Sequence, residues 1–154
     1  MPISYPAEKI ANHFIELAAA DGRLLTHMQL QKLVYLAHSL ALALHDRRLV
    51  ANNFYFYAWK HGPVAPHLYE QLKGTGAQPV HHLLPEAMPA LDLDPQAQEV
   101  VKQTYEAYGR FDGWELRNIT HLPGSPWSLT SEREAYGLIP DDLTRSYYRQ
   151  LLNL

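Results

Sequence analysis

A hydroxyl next to an imidazole, in the segment ELRNITHLPGSPW (residues 115–127), is the first candidate for chemistry in this sequence. Thr120 could act as a nucleophile only if a base lay within about 3 Å and were itself oriented by a third group. Adjacent residues on a helix do not face each other, and the sequence nominates no other base. His121 stands where a helix is expected to end, before Pro123 and Gly124, and there an imidazole can interact with free carbonyl groups. We therefore predict a structural role for this pair and no catalytic residues.

The nine histidines are the second candidate, as ligands for a metal ion. A zinc site needs three or four convergent ligands. His81 and His82 are adjacent, so in a strand they would point to opposite faces. His38 and His45 lie two helical turns apart, about 10 Å along the axis. Neither the H-E-x-x-H spacing nor a pattern of two histidines and one carboxylate occurs. The sequence therefore predicts neither a metal site nor a cofactor.

The segment AWKHGPVAPHLY (residues 58–69) has a lysine and a histidine beside a glycine. It is not a phosphate-binding loop, because the pattern G-x-x-x-x-G-K-[ST] is absent. Gly62 and Pro63 predict a turn between a strand and a helix, flanked by the large amphipathic side chains of Trp59 and Tyr69. Two interpretations stay open. One is a packed strand-turn-helix, and the other is a rigid surface corner for a protein partner, since Trp and Tyr are common in binding hot spots.

Composition narrows the class of protein further. The chain has 154 residues, which fits a single domain spanning residues 1–154. It contains no cysteine, which excludes disulfides, thiol nucleophiles and thiolate metal ligands. The N-terminal segment MPISYPAEKI lacks the features of a signal peptide, and no stretch approaches the ~18 consecutive apolar residues of a membrane span. We expect a soluble, cytoplasmic protein without a membrane partner.

Charge argues against a nucleic-acid partner. The formal net charge is −3, whereas nucleic-acid-binding domains usually carry a basic patch. A DNA-recognition helix should present several basic or amide side chains to solvent. The helix expected at the centre of this protein has only Lys32 with Gln29 and Gln31, so a DNA-binding regulator is a minor alternative.

Helical signals dominate the sequence. Thr26 and Gln29 form a T-x-x-Q capping box, after which apolar residues recur on most sides of a helix, as is typical of a buried one. We predict a central core helix over residues 27–45. Further helices are predicted after Pro6, from Pro66, after Asp94, after the capping box of Asp112 and Glu115, after Ser125 and after Pro140. The apolar side of the last helix is predicted to consist of Leu143, Tyr147, Leu151 and Leu152.

The aromatic run NFYFYAW (residues 53–59) breaks the helical period and favours a short strand over residues 54–59. The segment PVHHLL (residues 79–84) is a candidate for a second short strand. The predicted fold is mainly α, a single compact multi-helix domain around a buried central helix, with a small β element near residues 54–59.

Three blocks of the sequence together resemble one family. They are MQLQKLVYLAHSLAL (28–42), FYAWKHGPVAPHLYEQLK (56–73) and LRNITHLPGSPWSLT (116–130). Their order, K-L-x-Y-x-A, then W-K-x-G-P-V-x-P-x-x-Y, then T-H-x-x-x-x-P-W, resembles the Panacea domain of SocA-like antitoxins, which is often found in phage-associated genes. The resemblance spans nearly the whole chain. It implies a mostly helical domain with a minor β element and a non-enzymatic role.

The family's motif residues carry over to this chain position by position. They fall on Lys32, Leu33, Tyr35, Ala37, Trp59, Lys60, Gly62, Pro63, Val64, Pro66, Tyr69, Leu116, Thr120, His121, Pro126 and Trp127. Partner contacts are expected from Lys60 and Tyr69, while Trp59 and Trp127 are expected to act through the fold. The chain departs from the family pattern after the Thr-His pair, where Leu122 and Pro123 replace a polar or acidic residue.

The resemblance also implies a function. It implies an antitoxin that neutralises a cognate protein toxin, encoded in an adjacent gene, by direct protein–protein binding. The alternative it implies is a proteolytic adaptor that delivers the toxin to the ClpXP protease. Because this chain starts almost at the domain, without the helix-turn-helix segment of some members, we do not expect direct regulation of its own operon. A small hydrolase that uses His121 is a further, weaker alternative.

Overall fold

The computed structural model describes residues 3–51, 55–86 and 91–154. Within those ranges the chain forms seven α-helices, so the fold is mainly α, as predicted. They are α1 (Ala7–Ala20), α2 (His27–His45), α3 (Pro66–Leu72), α4 (Pro95–Tyr108), α5 (Gly113–Thr120), α6 (Pro126–Arg133) and α7 (Asp141–Leu151). A short 3₁₀ helix, Lys73–Thr75, continues from the end of α3.

The central helix α2 has the bounds that its sequence predicts. It begins at the capping box, in which the Thr26 side chain accepts a hydrogen bond from the Gln29 backbone and Gln29 Oε1 accepts one from the Thr26 backbone. Every residue from Gln29 to Ala43 is buried. Helices α1, α4, α5 and α7 all pack against it, which explains why its apolar residues are not confined to one stripe.

The predicted starts of the other helices are also confirmed. Asp94, Asp112 and Ser125 each accept a hydrogen bond from the backbone N–H three residues later, at the starts of α4, α5 and α6. Pro66 is the first residue of α3, and α1 begins directly after Pro6. None of the described helices combines the length and the apolar character needed to cross a membrane.

Two antiparallel strand pairs complete the described fold. β1 (Leu25–Thr26) pairs with β4 (Pro79–Val80), and β2 (Tyr57–Trp59) pairs with β3 (Gly62–Val64) to form a hairpin. The predicted β element near residues 54–59 is therefore confirmed over residues 57–59, and its first residue, Phe54, lies outside the described residues. Of the candidate strand PVHHLL, only residues 79–80 are in β4; His81 and His82 follow it and are exposed.

The predicted turn at Gly62 and Pro63 is wrong, because both residues belong to β3. The turn of the hairpin lies one step earlier, at Lys60 and His61, and is a two-residue loop of the kind that joins antiparallel strands. Gly62 has a φ of +108°, a conformation that glycine adopts at little cost. Pro63 cannot donate to a sheet, but each strand of a two-stranded pair has a free edge that tolerates proline.

The last helix packs against α2 with a different face from the predicted one. The residues of α7 that are buried are Thr144 and Tyr148. In contrast, Leu151 and Leu152 are 53% and 38% exposed, so their prediction as part of the buried side is wrong. The remaining two residues of that predicted side, Leu143 and Tyr147, are partly buried.

Polar contacts and an aromatic pair set this orientation of α7. His38 Nε2 lies 3.3 Å from Asp141 Oδ1 at the start of α7. The backbone N–H of Val50 donates to His38 Nδ1 at 3.2 Å, so Nδ1 is the acceptor and Nε2 carries the proton toward Asp141. Tyr148 packs edge-on against Tyr35 of α2, with ring centres 6.2 Å apart. Since these contacts join distant parts of the chain, the apolar pattern of α7 alone did not reveal its buried face.

Candidate functional site

The hairpin, α3 and the start of α2 meet at a corner in which aromatic rings contact one another. Trp59, at the end of β2, packs edge-on against Tyr69 of α3 with ring centres 5.1 Å apart. The ring of His27, the first residue of α2, also lies 5.1 Å from the Tyr69 ring. Burial, with a smaller effect from the charge of Lys32, lowers the pKa of His27 to about 4. His27 is therefore neutral at pH 7 and contributes an uncharged ring to the corner.

The connection between α5 and α6 supports this corner. The indole N–H of Trp127 donates a hydrogen bond of 2.6 Å to the carbonyl of Trp59. His121, which follows α5, stacks on Trp127 with ring centres 3.3 Å apart, and its Nε2 lies 3.3 Å from the carbonyl oxygen of Lys60. Partial burial and nearby Arg117 lower the pKa of His121. His121 thus contacts a carbonyl at the end of an element, as expected of a structural histidine, but that carbonyl belongs to the hairpin.

Thr120 is buried, and its hydroxyl bonds within its own helix. Oγ1 lies 2.9 Å from the carbonyl oxygen of Leu116 and 3.2 Å from that of Arg117, and it donates to these acceptors. In the part of the chain that the structure describes, no imidazole or carboxylate hydrogen-bonds to this hydroxyl. The arrangement favours the structural role that the sequence predicts for Thr120, because a nucleophilic hydroxyl requires such a base.

The side chain of Lys32 extends from α2 to the hairpin. Its side chain is 2% exposed, and Nζ donates a hydrogen bond of 3.0 Å to the carbonyl of Pro63. Burial and, to a smaller extent, the charge of Arg117 lower the pKa of Lys32 to about 7. The approach is close because Gly62 lacks a Cβ, which would lie 2.9 Å from Lys32 Cε and 3.3 Å from Thr120 Oγ1. Residues from all three sequence blocks are therefore packed together here.

A cleft of about 680 Å³ opens beside these residues. Its walls come from the start of α2, the hairpin, α3 and the start of α5. Lys32, Trp59 and Tyr69 line it, together with Trp114 and Tyr136, which are 57% and 59% exposed and extend the apolar lining onto the outer surface. The volume is typical of ligand-binding pockets, and Trp and Tyr are the side chains that most often dominate protein–protein contacts.

The structure divides the predicted motif residues by position. Those that line the cleft are Lys32, Trp59, Lys60, Val64 and Tyr69. Those that support its walls are Gly62, Pro63, Thr120, His121 and Trp127. Pro66 and Pro126 are the first residues of α3 and α6, and Leu33, Ala37 and Leu116 are in the core. Tyr35 is also in the core, where burial raises its pKa to about 12, so it does not belong to the cleft.

Trp114, Tyr136 and His61 belong to the cleft although their sequence positions do not single them out. Trp114 is the second residue of α5. The only sequence feature that could have identified it is a large aromatic side chain close to the start of a helix. It contacts His61 of the hairpin turn edge-on, with ring centres 5.4 Å apart. Tyr136 follows α6 and reaches the cleft because its backbone N–H donates to the carbonyl of Ala58 at 3.1 Å. That pairing is a tertiary contact with no local sequence signal.

Four histidines were considered above as possible metal ligands. His38 is in the core, while His45, His81 and His82 are exposed. Among residues 3–51, 55–86 and 91–154, no three side chains of the metal-binding types His, Cys, Asp and Glu are grouped in a way that could hold a metal ion.

Comparison with known proteins gives two matches. The family model for the SocA-like antitoxin, Panacea domain, matches residues 30–128 of this chain. Antitoxin SocA of Caulobacter vibrioides (strain NA1000 / CB15N) is 29% identical over 136 residues, which cover 83% of this chain and 71% of that protein. No solved structure matches the chain. The matched residues 30–128 include Lys32, the hairpin, Tyr69 and Trp127, and so contain most of the cleft.

Proposed function

Because the chain belongs to the SocA-like antitoxin family with the Panacea domain, we propose that it is the antitoxin of a toxin–antitoxin system. In this proposal it binds a cognate protein toxin in the cytoplasm and neutralises it by direct protein–protein contact. The toxin is expected to be encoded in an adjacent gene. The family model and the relative named Antitoxin SocA support the antitoxin role.

The single observation that carries direct binding is the aromatic lining that continues from the cleft onto the surface. Trp59 and Tyr69 lie within the cleft, and Trp114 and Tyr136 extend it with side chains that are 57% and 59% exposed. Large aromatic side chains at such a site lose water when a partner covers them, and they are enriched among residues that dominate binding energy. The indole N–H of Trp127 bonds to the carbonyl of Trp59, and such restraint of a binding surface reduces the entropy lost on binding.

A binding protein also fits the contacts of the Thr-His pair better than a hydrolase does. The Thr120 hydroxyl donates to carbonyls of its own helix, and the His121 ring stacks on Trp127 next to the carbonyl of Lys60. Both side chains are therefore engaged in holding the hairpin. Substitution of His121 by alanine should weaken neutralisation only as far as it disturbs folding or the complex. Loss of function with an intact fold and an intact complex would instead support catalysis.

Co-expression with the neighbouring open reading frame tests the proposed function. We expect the neighbour alone to stop growth, this chain to restore growth, and the two proteins to co-purify. Trp114→Ala should weaken both rescue and co-purification, because it removes an exposed aromatic side chain of the cleft. The matched control is Leu151→Ala on α7, which is similarly exposed at 53% and lies outside the cleft lining. A neighbour that is harmless alone would contradict the proposal.

Toxin half-life distinguishes occlusion from delivery to ClpXP. If the chain neutralises by occlusion, growth is restored in cells that lack ClpX, and the amount of toxin does not fall. An adaptor would shorten the half-life of the toxin and would fail without the protease. We expect the first result, and the second would replace direct occlusion with the adaptor mechanism.

A further inference from the structure

Lys32 has a buried amino group that has no anionic partner within the described chain. The eight described ion pairs do not include it, and the hydrogen bond described for Nζ is to the carbonyl of Pro63. A buried ammonium group is costly unless a counter-charge or several acceptors compensate for its lost hydration. One carbonyl supplies only part of that compensation, because an ammonium group has three donors.

The groups around Lys32 add to its positive charge. Burial is the main cause that lowers the pKa of Lys32, and the charge of Arg117 of α5 adds to it. Burial likewise lowers the pKa of His61 of the hairpin turn, and the charges of Arg117, Lys60 and Lys32 act in the same direction. His27 of α2 is affected by the Lys32 charge as well. Lys32 and Lys60 both line this end of the cleft, so it carries basic groups although the whole chain has a net charge of −3.

The described cleft contains one acidic residue, Asp112. Its carboxylate is exposed and accepts a hydrogen bond of 2.8 Å from the backbone N–H of Glu115, as the cap of α5. Asp112 forms no ion pair with Lys32 among the described contacts. Charge complementarity therefore points to an anionic group that comes from outside the chain and enters the cleft next to Lys32.

Resting on the proposed function, we propose that the cleft receives a peptide segment of the toxin, whose carboxylate pairs with Lys32 while its apolar side chains pack against Tyr69 and Trp114. The volume of about 680 Å³ is large enough for a few side chains. A protein segment is favoured over a free small anion because the aromatic lining continues outside the cleft to Trp114 and Tyr136. A partner larger than the cavity can cover both regions.

Formation of this ion pair changes the protonation of Lys32. In the free protein its pKa is about 7, so above pH 7 the side chain is largely neutral. A carboxylate beside it favours the charged form and raises the pKa again. Binding above pH 7 must therefore take up a proton, and the affinity falls as the pH rises. His27 and His61 have lowered pKa values and are already neutral in this range, so they do not produce the same dependence.

The first experiment measures the affinity of the purified full-length chain for the product of the neighbouring open reading frame by titration calorimetry. Lys32→Met keeps an unbranched side chain, one heavy atom shorter than lysine, and removes its charge. We expect it to weaken binding roughly 30-fold or more, as for truncation of one member of a buried charge pair. The matched control is Lys102→Met, the same substitution at an exposed lysine of α4 outside the cleft lining, which should change the affinity less than about twofold.

The second experiment uses the wild-type chain and so does not depend on how a variant folds. Nitrogen NMR of the Lys32 ammonium group should show its pKa rising by two units or more when the toxin binds, and calorimetry between pH 7.5 and 9 should show affinity falling by more than roughly tenfold. If wild type binds and neutralises the toxin but the pKa of Lys32 and the affinity of Lys32→Met are unchanged, the inference is wrong and the proposed function stands. If wild type neither binds nor neutralises it, both are wrong.

Discussion

The indole N–H of Trp127 donates a 2.6 Å hydrogen bond to the backbone carbonyl of Trp59, 68 residues earlier in the chain. This contact joins the start of α6 to the hairpin. In the segment between α5 and α6, His121 stacks on Trp127, and its Nε2 lies 3.3 Å from the carbonyl oxygen of Lys60, the next residue of the hairpin. Trp59 and Trp127, which belong to different sequence blocks, are therefore joined in one structure that supports the cleft.

Trp127→Phe tests this support. Phenylalanine keeps an aromatic ring for the stacking with His121 but has no N–H, so the carbonyl of Trp59 loses its donor. We expect the free energy of unfolding to fall by about 1–3 kcal/mol, measured by urea denaturation. The control is Trp114→Phe, in which the indole is 57% exposed, and which should leave stability within about 0.5 kcal/mol. Equal stability of the two variants would show that the hydrogen bond does not hold the hairpin.

Gly62→Ala should destabilise the fold through local geometry. The residue has a φ of +108°, and an added Cβ would lie 2.9 Å from Lys32 Cε. Alanine adopts this backbone conformation only with strain, so we expect a loss of about 1–3 kcal/mol in the free energy of unfolding. Gly74→Ala is the matched control, because no heavy atom lies within 4 Å of its Cβ position and its φ is not positive. Similar melting temperatures for the two variants would contradict the account of Gly62.

Tyr69→Ala and Lys60→Ala should weaken toxin neutralisation more than they lower the melting temperature. Both residues line the cleft; Tyr69 is partly buried, and Lys60 is exposed. For Tyr69 we expect a loss of about 2 kcal/mol in binding free energy, as for an aromatic hot-spot residue. Growth rescue and thermal unfolding are measured on the same variants. Trp59→Ala and Trp127→Ala are expected to lose function only in proportion to unfolding. If Tyr69→Ala and Lys60→Ala behave in the same way, Tyr69 and Lys60 do not contact the toxin.

The stability of the free protein should rise with pH above neutrality because of Lys32. Its pKa is about 7 in the folded state, whereas a lysine exposed to water has a pKa of 10.5, so between these values the unfolded chain binds more protons. Stability therefore increases as the pH rises from about 7 toward 10.5, and this contribution is lost as the pH falls through 7. From pH 7 to 9 the gain should be about 2 kcal/mol relative to Lys32→Met. Urea denaturation of both proteins at pH 6, 7 and 9 measures it, and parallel pH profiles would show that Lys32 titrates normally.

Local sequence signals predicted the helices well and one buried face badly. Capping residues and apolar spacing located α2 and the starts of α4, α5 and α6, since a cap bonds to backbone only three residues away. For α7 the apolar residues suggested a side with Leu151 and Leu152, but the helix buries Thr144 and Tyr148. That choice depends on partners elsewhere, Tyr35 and His38, whose proximity to α7 no local pattern encodes.

The candidate site shows the same division. The motif residues Lys32, Trp59 and Tyr69 were identifiable from their sequence blocks, and they line the cleft. Tyr35 was also part of a block, but it lies in the core and packs against Tyr148. A motif tyrosine can therefore serve packing and not binding. Tyr136 belongs to no block and reaches the cleft through backbone pairing with Ala58.

The sequence by itself determined the mainly α fold, the extent of the central helix and the starts of α4, α5 and α6. These depend on caps, periodicity and the ends of helices, which are interactions between residues close in the chain. Only the tertiary structure decided that Gly62 belongs to a strand, that Lys32 is buried without a described anionic partner, and that both stand at the wall of a cleft. Such properties arise from the juxtaposition of distant segments, because burial and electrostatic environment depend on every element that packs around a group.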